Sequence, residues 1–147
     1  MQKPNILTLC FFLFTALLLS GCPWWDDEDD RWEHGSGSCI YVSGTWSVTA
    51  YVDASNCGDG RYTSRYRYRF HQNGCSIEVS TNTGTYFGTV NGNNIRWTGS
   101  YPEDDGITTS QVNLTVSGDY LSGTDSWSWT DGSHTCRGTS DITGREL

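Results

Sequence analysis

From Cys39 onward the chain alternates apolar and polar residues with a period of two, broken at short intervals by Gly, Asn and Asp. Alternation of this kind places one face of a strand in a core and the other in water. The first strand spans about 40–52, with Ile40, Val42, Trp46, Val48, Ala50 and Val52 on one face. In the second, about 61–70, Tyr62, Tyr66, Tyr68 and Phe70 face one way and Arg61, Arg65, Arg67 and Arg69 the other. Six more follow at about 75–80, 85–90, 94–101, 110–117, 120–130 and 135–143. Pro102 to Thr109 reads as a looser acidic loop.

Asn73-Gly74, Asn91-Gly92, Gly118-Asp119 and Asp131-Gly132 separate these runs. Such pairs supply the positive φ of tight hairpins. Eight antiparallel strands with short links predict an all-β, up-and-down barrel that removes its edges by closing, with a two-sheet β-sandwich as the alternative. Four cysteines fall in this region: Cys39, Cys57, Cys75 and Cys136. In an eight-strand meander the start of the first strand lies at the end where strands two and three turn. The first and seventh links lie at the opposite end. Topology therefore predicts two disulfides, Cys39 to Cys75 and Cys57 to Cys136, among three possible pairings.

Residues 1–38 are different in kind. Lys3 precedes a 14-residue apolar stretch, Ile6 to Leu19. A membrane-spanning helix needs about 20 residues, so the stretch fits the h-region of a cleaved signal peptide. Leu19-Ser20-Gly21-Cys22 resembles the bacterial lipobox. That resemblance implies a signal peptide over 1–21, a diacylglycerol on the Cys22 sulfur and acylation of the new N-terminus. Two or more chains make a stable anchor. Residues 22–38 then form an acidic tether: six acids and one Arg lie in 26–33. It has no apolar period and ends in the flexible Gly35-Ser36-Gly37-Ser38. Trp24 and Trp25 suit the headgroup layer beside an anchor. An acidic run so placed resembles the surface-export tethers of some Bacteroidetes lipoproteins. The expected address is the cell envelope, most readily the outer membrane, on its periplasmic or surface face.

Composition agrees with this division. The chain is 14% aromatic with 17 Gly, and its 147 residues allow one domain, here 39–147. Removal of residues 1–21 leaves eight Arg, no Lys and seventeen acids, a balance that excludes a nucleic-acid partner.

Gly44-Thr45-Trp46 on the first strand resembles the G-x-W of lipocalins and related small barrels. The resemblance implies that Trp46 plugs one end of a lipocalin-like barrel and that an Arg near the C-terminus, Arg145 here, packs across it. Small bacterial inhibitor barrels, lipoprotein or periplasmic domains that block metalloproteases or lysozyme, are also similar.

Chemistry is sparse. His34, His71 and His134 have no nucleophile partner, and no Gly-rich phosphate loop or CxxC occurs, so neither a catalytic residue, a metal site nor a cofactor is expected. His134 with Asp131 and Asp125 offers a metal or acid–base group, and Glu103-Asp104-Asp105 paired carboxylates, but the plainer readings, a polar turn and a solvated loop, are preferred. The sharpest feature is the stripe Arg61, Arg65, Arg67 and Arg69, with alternate residues about 7 Å apart. It is a candidate anion-binding surface for phosphate, sulfate or carboxylate groups; the plainer reading pairs these charges with acids such as Glu78. The inward aromatics, Trp46, Tyr66, Tyr68, Trp97, Trp127 and Trp129 among them, are read as filling the barrel. The alternative is that they line a ligand cavity.

The expected function is a non-catalytic envelope interaction module with a protein or an anionic glycan or lipid as partner. Similarity to the inhibitor barrels extends this to blocking a secreted or host hydrolase. The alternative is a lipocalin-type carrier of a small apolar or aromatic ligand. Membrane fractionation tests the address: Cys22→Ala should leave the protein unanchored, and continued membrane attachment would contradict the lipid anchor.

Overall fold

The structure is a computed structural model and describes residues 38–147; the expected signal peptide, Cys22 and the expected tether up to Gly37 lie outside the described residues. Eight strands form one closed antiparallel barrel in sequence order: β1 (Gly44–Ala54), β2 (Gly60–Asn73), β3 (Ser76–Ser80), β4 (Thr85–Asn91), β5 (Asn94–Glu103), β6 (Gly106–Ser117), β7 (Tyr120–Thr130) and β8 (Thr135–Glu146). A single 3₁₀ turn, Ser55–Cys57, sits between β1 and β2. Closure is made by β1 and β8, paired from Trp46↔Glu146 to Asp53↔Thr139. The backbone of the first strand is thereby satisfied on both sides, which no open sheet achieves for its edges. This excludes the β-sandwich.

The period-two pattern locates the strands, although the second and eighth run on to Asn73 and Glu146, and two segments differ in kind from expectation. Residues 40–43 are not strand. They form a strap across one end of the barrel, held by the side chain of Gln72. The Val42 amide donates to Gln72 Oε1 at 2.8 Å, and Gln72 Nε2 donates to the Ile40 carbonyl at 2.9 Å. The supposed loop 102–109 is instead the tip of a long β5–β6 hairpin, in which Pro102 pairs with Ile107 and Glu103 with Gly106. Asp104 takes the left-handed conformation there, φ 52°, a role Asp tolerates better than most residues.

Both disulfides join the expected partners. Cys39–Cys75 ties the strap to the β2–β3 turn, and Cys57–Cys136 ties the 3₁₀ turn to β8 at the opposite end. Each crosslink removes conformations from the unfolded chain.

The two ends of the barrel are packed differently. At the strap end, Trp46, Ile77, Val79, Ile95, Leu114 and Ile142 are almost wholly buried. Val42 seals them from above, and its carbonyl accepts the Trp46 Nε1–H at 3.3 Å. Phe70 packs against Trp46 with ring centroids 6.3 Å apart, in turn meeting Trp97 at 6.1 Å. Arg145 does not pack across Trp46. The residue opposite Trp46 on β8 is Glu146, so parity sends Arg145 to the outer face. There it binds Asp119 at 3.0 Å and covers the ring of Tyr120.

Candidate functional site

The inward parity of the strands continues toward the other end, but the side chains no longer fill the space. A cavity of about 520 Å³ opens there between the β1–β2, β3–β4 and β5–β6 links, a size suited to one small ligand. Its floor is the packed cluster of Tyr68 and Trp97, in edge-to-face contact at 5.2 Å. Tyr66, Tyr86, Trp127 and Trp129 contribute to its walls, with Tyr62 and Tyr101 higher up. Val52, Ala50 and Val112 provide the apolar remainder.

Glycines explain why rings this large leave a void. A Cβ on Gly99 would lie 2.1 Å from the Tyr86 ring, one on Gly138 2.1 Å from the Trp127 ring, and one on Gly106 2.5 Å from the Trp129 ring. Each aromatic lies flat into the space a neighbouring side chain would occupy, so it lines the wall rather than crossing the lumen. The expectation of a completely filled barrel is thus corrected: one half is filled and the other is open.

Of the aromatic residues singled out as a cavity set, Tyr66, Tyr68, Trp97, Trp127 and Trp129 are brought together here, while Trp46 belongs to the packed half. The second pair of cysteines, Cys57 and Cys136, also borders the cavity. The arginines lie elsewhere. Arg61, Arg65, Arg67 and Arg69 are all exposed on the outer face of β2. Arg61 is paired with Asp53 at 2.9 Å. No ion pair engages Arg65, Arg67 or Arg69 among the described residues, and Glu78 stands opposite His71 rather than an Arg.

The charge inside the cavity is wholly negative. Asp125 projects inward from β7, between Gly123 and Trp127 in the alternation, and borders the cavity together with Asp59, Glu103, Asp104 and Asp105. Among the described residues, no Arg, Lys or His side chain is part of the lining. Ser110 Oγ donates to Asp125 Oδ2 at 3.2 Å, whereas Oδ1 is shut off from solvent and has no hydrogen-bond partner. Burial pushes this carboxyl up to about 6, against the opposing pull of the hydrogen bond from Ser110. Burial with the charges of Glu103 and Asp125 likewise raises Tyr101 to about 12. Tyr66 and Tyr68 are raised for the same first reason, and their hydroxyls meet at 3.3 Å. The phenols thus remain neutral around an ionised acid. At the rim, Thr108 donates to the Glu103 carboxylate and Trp129 Nε1 to the Glu103 carbonyl at 3.1 Å, fixing the β5–β6 tip over the opening.

Asp125 was grouped with His134 and Asp131 in the sequence, and the structure separates them. His134 Nδ1 meets Asp131 at 3.1 Å in the exposed β7–β8 link. The signal that places Asp125 inside was present: counting by two from Leu121 reaches Gly123, Asp125, Trp127 and Trp129. Glu103, Asp104 and Asp105, read as a solvated loop, are likewise part of the site. Among the described residues no group of three His, Cys, Asp or Glu side chains is arranged to hold a metal.

Asp125 also has a consequence for stability. Its carboxyl titrates at about 6 in the fold against an ordinary 3.8, so the folded state holds the proton more tightly and the cost of the buried charge is absent below about pH 4. As pH rises through 6 the cost grows to about 2–3 kcal/mol. Urea denaturation of Asp125→Asn should show a gain of that order over the original protein at pH 7.5, shrinking to little at pH 4. A gain independent of pH would contradict the assignment. No protein-family model, curated protein or solved structure matches this chain.

Proposed function

We propose that this protein is a non-catalytic, lipid-anchored envelope protein whose barrel holds a small organic molecule in its open half. The observation that carries this reading is the cavity itself, a ligand-sized space bounded by aromatic rings and by polar side chains, carboxylates among them. A structural barrel of this size gains stability from filling its lumen, and glycines at 99, 106 and 138 keep rings against the wall instead. The anchor rests on the Leu19–Cys22 lipobox resemblance. The two disulfides suit an oxidising compartment outside the cytoplasm.

A second reading has its own support in Arg65, Arg67 and Arg69. Three exposed guanidinium groups without ion pairs among the described residues, on a strand whose outward neighbours across the ladder are Thr45, Ser47 and Thr49, form a cationic stripe on a net acidic protein. That stripe suits docking to an anionic glycan, lipid or protein face. The two readings use opposite surfaces and do not exclude each other.

Tryptophan fluorescence distinguishes them. Neutral and cationic aromatic metabolites titrated into the protein should give saturable quenching at micromolar concentration, since Trp97, Trp127 and Trp129 border the cavity. A flat response to every compound would contradict the carrier reading. Arg65→Glu with Arg67→Glu should abolish retention on heparin or lipopolysaccharide while leaving that quenching intact; unchanged retention would remove the stripe from consideration.

A further inference from the structure

The lining of the cavity is asymmetric in a way that bears on what it holds. Among the described residues, eight aromatic side chains border it, and five carboxylates do, yet no cationic side chain does. A carrier of fatty acids or other anions would place its ligand's charge beside Asp125 and beneath Asp59, Asp104 and Asp105. The carboxylate Oδ1 of Asp125 is already desolvated and unpartnered. An anion brought beside it would meet uncompensated like charge, which costs more the less water is present.

Aromatic faces carry the negative end of the ring quadrupole, so Trp and Tyr walls attract a positive group, and an acid at their base adds direct attraction. The floor and wall here are built of such groups: Tyr66, Trp97 and Trp127 bordering the space beside Asp125. The phenols cannot compete as anions, since burial keeps Tyr66 and Tyr68 protonated. Outside the lumen, Asp59, Asp104 and Asp105 make the mouth negative as well, which draws cations toward the opening.

We propose that the open half of the barrel selects organic cations, amines carried on an aromatic or apolar body, with Asp125 as the counter-charge and the Tyr and Trp rings as the walls that hold both the body and the charge. The proposal rests on the carrier reading and narrows it to one class of ligand. The titratable groups sharing the cavity with Asp125 are Tyr62, Tyr66 and Tyr68 on β2, Tyr86 on β4 and Tyr101 and Glu103 on β5, with Asp59, Asp104 and Asp105 at the mouth. None of them can supply a positive charge. Ionisation of Asp125 therefore strengthens cation binding as pH rises from 5 to 7.5 and leaves a neutral ligand unaffected.

Isothermal titration calorimetry on the protein from the full-length chain, with three probes of one shape, tests this. Tryptamine is cationic at pH 7.5, tryptophol neutral and indole-3-propionate anionic. The expected result is tryptamine at least about tenfold tighter than tryptophol, with indole-3-propionate weakest. In Asp125→Asn the tryptamine advantage should largely disappear while tryptophol binds as before, which also shows that the variant is folded. Trp127→Leu should weaken tryptamine more than tryptophol. Tryptophol binding as tightly as tryptamine would overturn the charge selection and leave the carrier reading standing. A tryptamine preference that survives in Asp125→Asn would overturn the role given to that residue. Saturation by none of the three would overturn the carrier reading and this proposal with it.

Discussion

Everything inside this protein follows from the pairing of β1 with β8. That ladder, Trp46↔Glu146 to Asp53↔Thr139, closes the sheet and fixes the circumference, hence the volume the inward side chains must share. With the volume set, the residues decide only how it is divided. Branched aliphatics and Trp46 consume one half, under a strap pinned by Gln72 and Cys39–Cys75. In the other half the inward positions of β5, β6 and β8 include Gly99, Gly106 and Gly138, and the rings they accept leave the lumen empty. The cavity is a consequence of where small residues face large ones across neighbouring strands.

This division also separates stability from binding. The packed half, with its fully buried Trp46, Ile77, Ile95 and Leu114, holds the barrel together and tolerates little change in volume. The open half contains groups that cost stability: a desolvated carboxyl on Asp125 and a hairpin tip with a left-handed Asp104. Both border the cavity rather than the packed half.

Much of the architecture was legible in the sequence because it depends on local rules. Asn-Gly and Gly-Asp pairs mark the tight links, period-two runs mark the strands, and an eight-strand meander pairs Cys39 with Cys75 and Cys57 with Cys136. Pro102 concealed the β5–β6 tip, since a proline within an alternating run argues against a strand. The side chosen by Arg145 was missed because it turns on the β1–β8 register. The open cavity was not legible for a related reason. Whether Tyr86 fills the lumen depends on Gly99 beside it, a neighbour thirteen residues away that only strand register brings into contact. Asp125 was different: parity alone places it inside, and its proximity in sequence to Asp131 and His134 drew it into the wrong group.

The most direct test of a barrel filled at one end and receptive at the other is to watch its tryptophans separately. Two-dimensional NMR resolves the indole N–H signals of Trp46, Trp97, Trp127 and Trp129, which lie on both sides of the division. Titration with tryptamine should shift the signals of Trp97, Trp127 and Trp129 and leave that of Trp46, sealed by Val42, in place. A shift of Trp46 equal to the others, or movement of none of the four, would contradict the account.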